Sequence, residues 1–187
     1  MDRSKRRSTR VTSTLTAPPP PRTSGARLDF EALYRAARDD VYAYVATLLR
    51  DRAAAEDVTA AAFERAYRKQ RTYKANRGSE RAWLFGIARN AALDELRRRK
   101  RTAALTAEPA DVDAALPEDD VELALRRAAV RDGLARLDPR QRELIALKFH
   151  AGLDNAEIAA VLGVSVSNAG TQLHRAMTKL REAVEHA

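Results

Sequence analysis

Apolar residues recur at helical spacing in two separate stretches of this chain, and an acidic stretch lies between them. In residues 28–101 the spacing begins with Phe30, Leu33 and Tyr34, and residues 123–187 show it again. Residues 102–122 carry seven acidic side chains and no basic one. This pattern predicts an all-α protein, with two small helical domains joined by a flexible acidic linker.

The composition favours a helical fold and a polyanionic ligand. Aromatic residues make up only 5% of the chain, fewer than an extensive β-sheet normally uses. Lys and Arg number 34 against 26 Asp and Glu, which gives a net charge of +8. Such a charge favours a nucleic-acid ligand, although a soluble basic protein without one has the same composition. The absence of cysteine excludes disulfide scaffolds, zinc–thiolate sites and cysteine nucleophiles.

Residues 1–27 are predicted to be a disordered basic tail. They hold seven Arg or Lys, one Asp and four consecutive prolines, with few apolar side chains. The tail would touch DNA or a protein partner non-specifically, or would be dispensable. It lacks the apolar core of a secretory signal, and no apolar run approaches the roughly 18 residues of a membrane span. We therefore expect a cytoplasmic protein with no membrane insertion.

Three or four helices are predicted in residues 28–101. Asp51 can cap the second helix, and Ser79 can cap a long helix that continues to Arg101. The stretch Arg71–Gly78 between them is predicted to be a loop. The long helix ends in five consecutive cations, Arg97–Arg101. A solvated charge run would have the same sequence, but the helix also carries Arg89 and Asn90, which favours contact with nucleic-acid phosphates.

A helix-turn-helix is predicted in the second basic stretch. Asp138–Gln141 combines an N-cap, Pro at the first helical position and Gln three residues on. Asp154–Glu157 forms a second capping box, and Gly163 permits a sharp turn before a helix from Val166 to about Glu185. The last helix would enter the DNA major groove by its N-terminal half. A helical hairpin that binds no DNA is the alternative.

The sequence contains no motif that is typical of a catalytic site. The chain lacks a phosphate-binding glycine loop, a nucleophile elbow and paired metal ligands. We expect no enzymatic activity, no catalytic residue, no metal, no cofactor and no small-molecule substrate. The alternatives are a regulator that uses only the helix-turn-helix, a basic RNA-binding protein and an enzyme with a basic substrate site. Residues 71–101 argue against the first, because such a regulator needs no second DNA-facing helix.

Both halves of the chain resemble the extracytoplasmic-function (ECF) group of bacterial sigma factors. Residues 78–90 (GSERAWLFGIARN) and 94–99 (DELRRR) are similar to the second conserved region of that family. Residues 137–143 (LDPRQRE) and 173–176 (LHRA) are similar to its fourth region, and residues 55–63 resemble the part that docks on polymerase. Each motif alone is weak, whereas their order and separation in one short chain are specific.

The resemblance implies what the protein does and how its parts divide the work. A sigma factor binds core RNA polymerase and directs promoter-specific transcription initiation. Residues 28–101 would be a region 2-like domain for the minus-ten element, and residues 123–187 a region 4-like domain for the minus-thirty-five element. The linker between them would be residues 102–122. Promoter DNA and core RNA polymerase are the implied partners, together with an anti-sigma factor.

Candidate site residues follow from the same resemblance. The expected contacts to the minus-ten element are Lys74, Asn76, Arg77, Ser79, Arg89, Asn90, Arg97, Arg98, Arg99 and Lys100. The expected contacts to the minus-thirty-five element are Ser167, Asn168, Thr171, Gln172, His174 and Arg175. Docking on core polymerase is expected from Glu56, Asp57 and Phe63. The Asn90 amide can read a base edge or bond a neighbouring helix, Tyr73 can stack on a base or lie in the core, and Trp83 is expected in the core.

Three departures from the family pattern affect these expectations, and one of them is Glu80, where the family often has an aromatic residue. Ala60-Ala61 stands where the family usually has Gln-Glu, which removes polar groups from the docking stretch. In the recognition helix, residues 168–172 (NAGTQ) replace the usual Thr-Val-Lys-Ser-Arg, so two usual cations are missing. The sequence therefore predicts an unusual minus-thirty-five element or an unusual strength of binding to it.

Overall fold

The computed structural model describes residues 28–103 and 121–185, and every regular element in these ranges is helical. Two short 3-10 turns, Gln70–Thr72 and Ala75–Arg77, occupy the predicted loop. The all-α prediction is confirmed. The predicted tail and residues 104–120 of the predicted linker lie outside the described residues. The α-helices are α1 (Phe30–Leu49), α2 (Arg52–Lys69), α3 (Glu80–Ala103), α4 (Val121–Ala135), α5 (Pro139–Phe149), α6 (Asn155–Leu162) and α7 (Val166–Glu185).

The helix starts and the sharp turn form where the sequence predicts them. The Asp51 carboxylate and the Ser79 hydroxyl each accept a hydrogen bond from the backbone N–H three residues on, at 3.0 and 3.1 Å. Complete capping boxes at Asp138–Gln141 and Asp154–Glu157 begin α5 and α6. Gly163 ends α6 at φ 68°, a left-handed conformation that costs glycine little.

Helices α1, α2 and α3 form the amino-terminal unit. Tyr44 of α1 and Leu84 and Phe85 of α3 are completely buried. An ion pair fixes the far end of α3 to the start of α2, because the Arg99 guanidinium lies 2.8 Å from the Asp51 carboxylate. The unit thus packs α3, which carries most of the candidate minus-ten residues, against α1 and α2.

Helices α4 to α7 form the carboxyl-terminal unit. The long helix α7 packs against each of the other three. Its buried residues Ala169, Leu173 and Ala176 recur every three or four positions, so one stripe of the helix faces inwards. The opposite stripe remains open to a ligand.

The two units pack directly on each other, which the sequence analysis did not predict. Helix α1 packs against α5, and α3 packs against α6. In α5 five consecutive residues, Glu143–Leu147, are buried. Five residues exceed one turn of 3.6 residues, so α5 is covered all round. Ile145 packs in a cluster with Ala176 of α7, whereas Leu144 and Leu147 belong to a core that continues into the amino-terminal unit.

Candidate nucleic-acid interface

The loop before α3, the first turns of α3, and Ala160 and Val161 of α6 line a cavity of about 430 Å³. Lys74, Arg77 and Asn90 supply polar groups to it, and Trp83 supplies an aromatic surface. Lys74, Asn76, Arg77 and Asn90 are all exposed. The structure therefore brings Lys74, Arg77 and Asn90 together at a pocket with room for an unstacked base, and Asn76 is exposed in the same loop.

Trp83 and Tyr73 form the aromatic part of this surface. Their ring centroids lie 5.7 Å apart, and the Tyr73 hydroxyl donates to the Gly78 carbonyl at 3.1 Å. Trp83 is partly buried: it packs against the core and also lines the cavity. The expected core position of Trp83 is thus only part of its environment, because its other side remains available to a ligand.

Ser79 and Arg89, both expected to face DNA, bind the carboxyl-terminal unit instead. The Ser79 hydroxyl donates to the Glu157 carboxylate of α6. The Arg89 Nε donates to Glu143 Oε1 of α5 at 2.6 Å, and the Arg89 side chain is only 18% exposed. Sequence reasoning placed Arg89 on an open helix face, but the packing of α5 closes that face.

The Glu143 carboxylate is the centre of a buried polar cluster. It also accepts from the Tyr44 hydroxyl at 3.4 Å and from the Arg140 guanidinium at 3.1 Å. Burial, and next the negative charge of Glu143, raise the pKa of Tyr44 well above its ordinary value. Tyr44 therefore keeps its proton and can serve as a donor.

The five cations at the end of α3 do not form one uniform phosphate-binding run. Arg97 pairs with Asp94 at 3.0 Å, and Arg98 pairs with Glu95 at 2.7 Å. The hydrogen bond from Arg98 is the main cause that lowers the pKa of Glu95. Arg99 is half-buried between Glu95 and Asp51, so it ties helices together. Lys100 and Arg101 are exposed at the end of the run.

The recognition helix α7 presents its candidates to solvent. Ser167, Asn168, Thr171, His174 and Arg175 are exposed, and Gln172 is partly exposed. The Gln172 amide donates to the Asn168 side-chain oxygen at 2.6 Å, which fixes both amides on the helix surface. The Ser165 hydroxyl caps the helix by accepting from the Asn168 N–H at 3.2 Å.

Two of the candidate docking residues, Glu56 and Phe63, line a groove of about 620 Å³ between α1 and α2, whereas Asp57 does not. Glu56 and Asp57 are exposed, but Phe63 is only 6% exposed. The Phe63 ring lies 4.8 Å from the Tyr34 ring, centroid to centroid, so it forms a wall of the groove rather than projecting from it. The Thr59 hydroxyl is buried at this groove without a hydrogen-bond partner in the described part of the chain.

Sequence reasoning missed Arg81 and Glu143, which join the two units. The Arg81 guanidinium donates to the Asp40 carboxylate at 2.5 Å and to the His150 carbonyl at 2.9 Å. It also donates to the Ala151 carbonyl. No local signal could reveal these pairs, because Arg81 and His150 lie 69 positions apart.

The described ranges were also searched for metal-binding clusters and for membrane-spanning helices. Residues 28–103 and 121–185 hold no group of three or more His, Asp or Glu placed to bind a metal ion. Among the helices in these ranges, none has the length and apolar character needed to cross a membrane.

Comparisons with known proteins agree with this architecture. The model of Sigma-70 region 2 matches residues 33–102, and that of Sigma-70 region 4 matches residues 127–180. The solved structure of RpoE from Bartonella quintana, in complex with the anti-sigma factor NepR, superposes with a TM-score of 0.71 at 24% identity. That match covers 84% of this chain and 97% of RpoE. CnrH, solved with the cytosolic domain of CnrY, gives 0.60 at 26% identity over 87% of this chain and 91% of CnrH.

Relatives of known function establish the family. SigL of Mycobacterium tuberculosis is 33% identical over 166 residues, which span 86% of this chain and 93% of SigL. BldN of Streptomyces coelicolor is 36% identical over 154 residues, which span 81% of this chain but only 58% of BldN. Both are ECF RNA polymerase sigma factors. The sequence-based assignment is therefore confirmed, and this chain belongs to the ECF group of RNA polymerase sigma factors, the initiation factors that give the polymerase its promoter specificity.

Proposed function

We propose that the two units divide promoter recognition between them, with α3 and its preceding loop on the minus-ten element and α7 on the minus-thirty-five element. The observation that carries this proposal is the two-sided character of α7. One stripe is buried on the helix-turn-helix core, and the opposite stripe displays Asn168, Thr171 and Arg175. That is the arrangement a helix needs when its N-terminal half lies in the major groove.

The minus-ten surface is built from a base reader, an aromatic wall and cations. Asn90 can donate to and accept from one base edge. Trp83 borders the cavity beside it, and an unstacked base can lie against an aromatic ring there. Lys74, Arg77 and Lys100 would hold phosphates without reading sequence. Arg89 and Ser79 join this surface only when their bonds to the carboxyl-terminal unit are released.

The groove between α1 and α2 is the proposed polymerase-docking surface. Glu56 supplies an exposed carboxylate to its lining, while Tyr34, Tyr42 and Phe63 supply apolar walls; Asp57 is exposed on the same helix. The family usually carries a polar residue at the position of Ala60. We therefore expect docking to depend on these apolar walls more than on polar contacts. Because Arg38 and Arg52 lie in the same lining as Asp39 and Glu56, a polymerase segment with apolar side chains and charges of both signs would complement this groove.

Domain limits, partners and location complete the proposal. The family matches at 33–102 and 127–180 support a region 2-like domain at 28–101, a linker at 102–122 and a region 4-like domain at 123–187. An anti-sigma factor is the expected regulatory partner, since RpoE from Bartonella quintana was solved with one. The chain would act in the cytoplasm, where polymerase and promoters are, and would contribute specificity rather than catalysis.

Run-off transcription with core RNA polymerase on a genomic promoter library tests this assignment. The wild-type chain should start transcription at promoters that share two sequence elements. Asn168→Ala combined with Thr171→Ala should lose those promoters, because both side chains lie on the exposed stripe of α7. The matched control is Thr178→Ala on the same helix, whose hydroxyl bonds its own backbone at His174. Transcription no greater than that of core polymerase alone would refute the proposal.

A further inference from the structure

We propose that the proline run of this chain, Pro18–Pro21, occupies the groove between α1 and α2 in the free protein and competes there with core polymerase. The competition rests on the proposed docking function of that groove. The contact itself does not, because its evidence is the lining of the groove, the sequence of residues 1–27 and the point where that segment joins α1. Residues 1–27 lie outside the described residues.

One face of α1 supplies aromatic rings to the groove. Phe30, Tyr34, Arg38 and Tyr42 follow one another at intervals of four residues, which places them on the same face of the helix. The last three line the groove together with Phe63 of α2, whose ring centroid lies 4.8 Å from that of Tyr34. The Tyr34 residue is 40% exposed. Exposed rings of this kind are typical of surfaces that bind another segment.

The charges in the lining of the groove cancel. Arg38 pairs with Asp39 at 2.9 Å, and Arg52 and Glu56 add one charge of each sign. Residues 11–21 (VTSTLTAPPPP) carry no charged side chain, although 32% of the whole chain is charged. An uncharged segment can fill a groove without net charge and leave none of its own charges unpaired, so the stretch that ends in the proline run fits this lining.

The hydrogen-bonding groups of the groove and of the proline run are also complementary. Proline has no backbone N–H, so a run of four prolines offers carbonyl acceptors and no donor. The groove offers donors, namely the hydroxyls of Tyr34 and Tyr42 and the guanidinium of Arg52. Proline runs favour the polyproline II helix before they bind, and aromatic grooves bind such segments at a low cost in conformational entropy.

The proline run can reach the groove from the start of α1. Leu28 is buried and the Asp29 carboxylate caps α1, so the chain joins this helix at a fixed point. Ser24-Gly25 separates the run from α1, and this pair favours a turn that would direct the chain back along the helix. Leu28 and Tyr42 lie about 20 Å apart along α1. Residues 18–28 span up to about 33 Å when extended, which is sufficient.

A weak contact is enough because the run and the groove belong to the same chain. A short flexible connection gives an effective concentration in the millimolar range. A segment that binds with a dissociation constant of about 1 mM would then fill the groove in about half of the molecules. The affinity for polymerase falls with the fraction of molecules whose groove is open, so loss of the contact should strengthen polymerase binding about twofold to tenfold.

Paramagnetic relaxation enhancement in the full chain tests the contact. The chain has no cysteine, so Thr16→Cys creates the only site for a spin label, two positions before the proline run. The label should weaken the NMR amide signals of Tyr42 and Glu56, which line the groove away from the start of α1. Phe30 is not used as a reporter, because it is close to the labelled segment in any arrangement.

Two variants of the labelled protein form a matched pair. Pro19→Gly with Pro20→Gly removes the polyproline preference and should restore the signals of the groove. Thr12→Gly with Ser13→Gly makes the same number of glycine substitutions outside the run and should leave the signals weakened. Tyr34→Ala changes the groove instead and should also restore the signals, while circular dichroism checks that the helix content is kept.

Three results would overturn the inference. The first is that the label does not weaken the signals of Tyr42 and Glu56. The second is that both double-glycine variants show the same weakening as the parent protein. The third is that the weakening arises only between molecules, in a mixture of spin-labelled protein and isotope-labelled protein without the spin label. The occupant would then be a second copy of the chain.

Affinity for core RNA polymerase separates the contact from its consequence. Without the spin label, the variant with Pro19→Gly and Pro20→Gly should bind core polymerase about twofold to tenfold more tightly than the variant with Thr12→Gly and Ser13→Gly. Equal affinities together with a contact seen by NMR would mean that polymerase does not dock in this groove. That result would refute the proposed docking surface and the competition, while the contact of the proline run would stand.

Discussion

The Arg89 guanidinium lies 2.6 Å from the Glu143 carboxylate, although 54 positions of sequence separate the two residues. Arg89 belongs to the segment matched by Sigma-70 region 2, and Glu143 to the segment matched by region 4. This buried ion pair therefore joins the region 2 segment to the region 4 segment.

The close packing of α4 on α7 leads to a prediction about two glycines. A Cβ at Gly133 would lie 2.9 Å from Leu180 and 3.1 Å from Val184, whereas a Cβ at Gly86 would meet nothing within 4 Å. Alanine gains about 1 kcal/mol of helix propensity at either site. Overpacking should cancel that gain at Gly133, so Gly133→Ala should be less stable than Gly86→Ala by about 1–2 kcal/mol.

Urea unfolding followed by circular dichroism measures this difference in the free energy of unfolding. The two variants carry the same substitution in the same kind of helix, so each is the control for the other. Equal stability of the two proteins would mean that α4 is not packed closely on α7 in solution.

Different residues of α3 should read bases and bind phosphates. Asn90→Ala should cost about 1–3 kcal/mol on the preferred promoter and flatten the preference at one base position. Lys100→Ala with Arg101→Ala should weaken all promoters alike and reduce the salt slope by up to about 2. Arg99 is left unchanged, because it ties α3 to Asp51.

The measurement is transcription from promoters with each minus-ten base varied, at two salt concentrations. Equal weakening of every promoter by Asn90→Ala would show that Asn90 is structural. A changed base preference in the Lys100 and Arg101 variant would show that the end of the helix reads sequence.

The hydrogen-bonded amides of Asn168 and Gln172 on α7 lead to a prediction about the base that they contact. Gln172 and Asn168 are joined by a 2.6 Å hydrogen bond, and amide side chains pair best with adenine in the major groove. Gln172→Arg should move the preference at one minus-thirty-five position from adenine towards guanine, by about 1–3 kcal/mol. Selection from a randomised minus-thirty-five library measures the preference. An unchanged consensus would mean that Gln172 does not face a base, and Thr178→Ala is again the control.

Stability should fall under mild acid because of His150. Burial is the main cause that lowers the pKa of His150, and Asp40 of α1 opposes it. The His150 carbonyl accepts from Arg81 of α3, and the ring lies 3.5 Å from the Thr47 hydroxyl. In the unfolded chain His150 takes up a proton near pH 6.5, above its pKa in the folded protein. The free energy of unfolding should therefore be constant above that pH and decrease as the pH falls below it.

The check is the difference in urea midpoint between pH 7.5 and pH 5.5. His150→Gln keeps a polar side chain of similar reach and should reduce this difference. An identical pH dependence in both proteins would mean that other groups, the carboxylates among them, account for it.

Local sequence predicted the starts of α2, α3, α5 and α6 and the course of α7, whereas α4 (Val121–Ala135) was not predicted. Asp51, Asp138 and Asp154 each bond a backbone N–H three residues away, so the information needed to place these helix starts is local. The buried stripe of α7 follows in the same way from residues three and four positions apart. The family motifs indicated the function, because their identity and order can be recognised in the sequence without knowledge of the tertiary structure.

Tertiary structure alone decided which candidate side chains are free to act. Arg89, Arg99 and Phe63 all lie in motifs of the expected type, yet one is held by Glu143, one by Asp51 and one by neighbouring rings. Each partner is distant in sequence or depends on how two helices pack. The run Glu143–Leu147 is buried on all sides because α5 lies between α7 and α1. Helical periodicity predicts which face of a helix is buried in the core of its own unit. It cannot predict that the other unit buries a second face of the same helix.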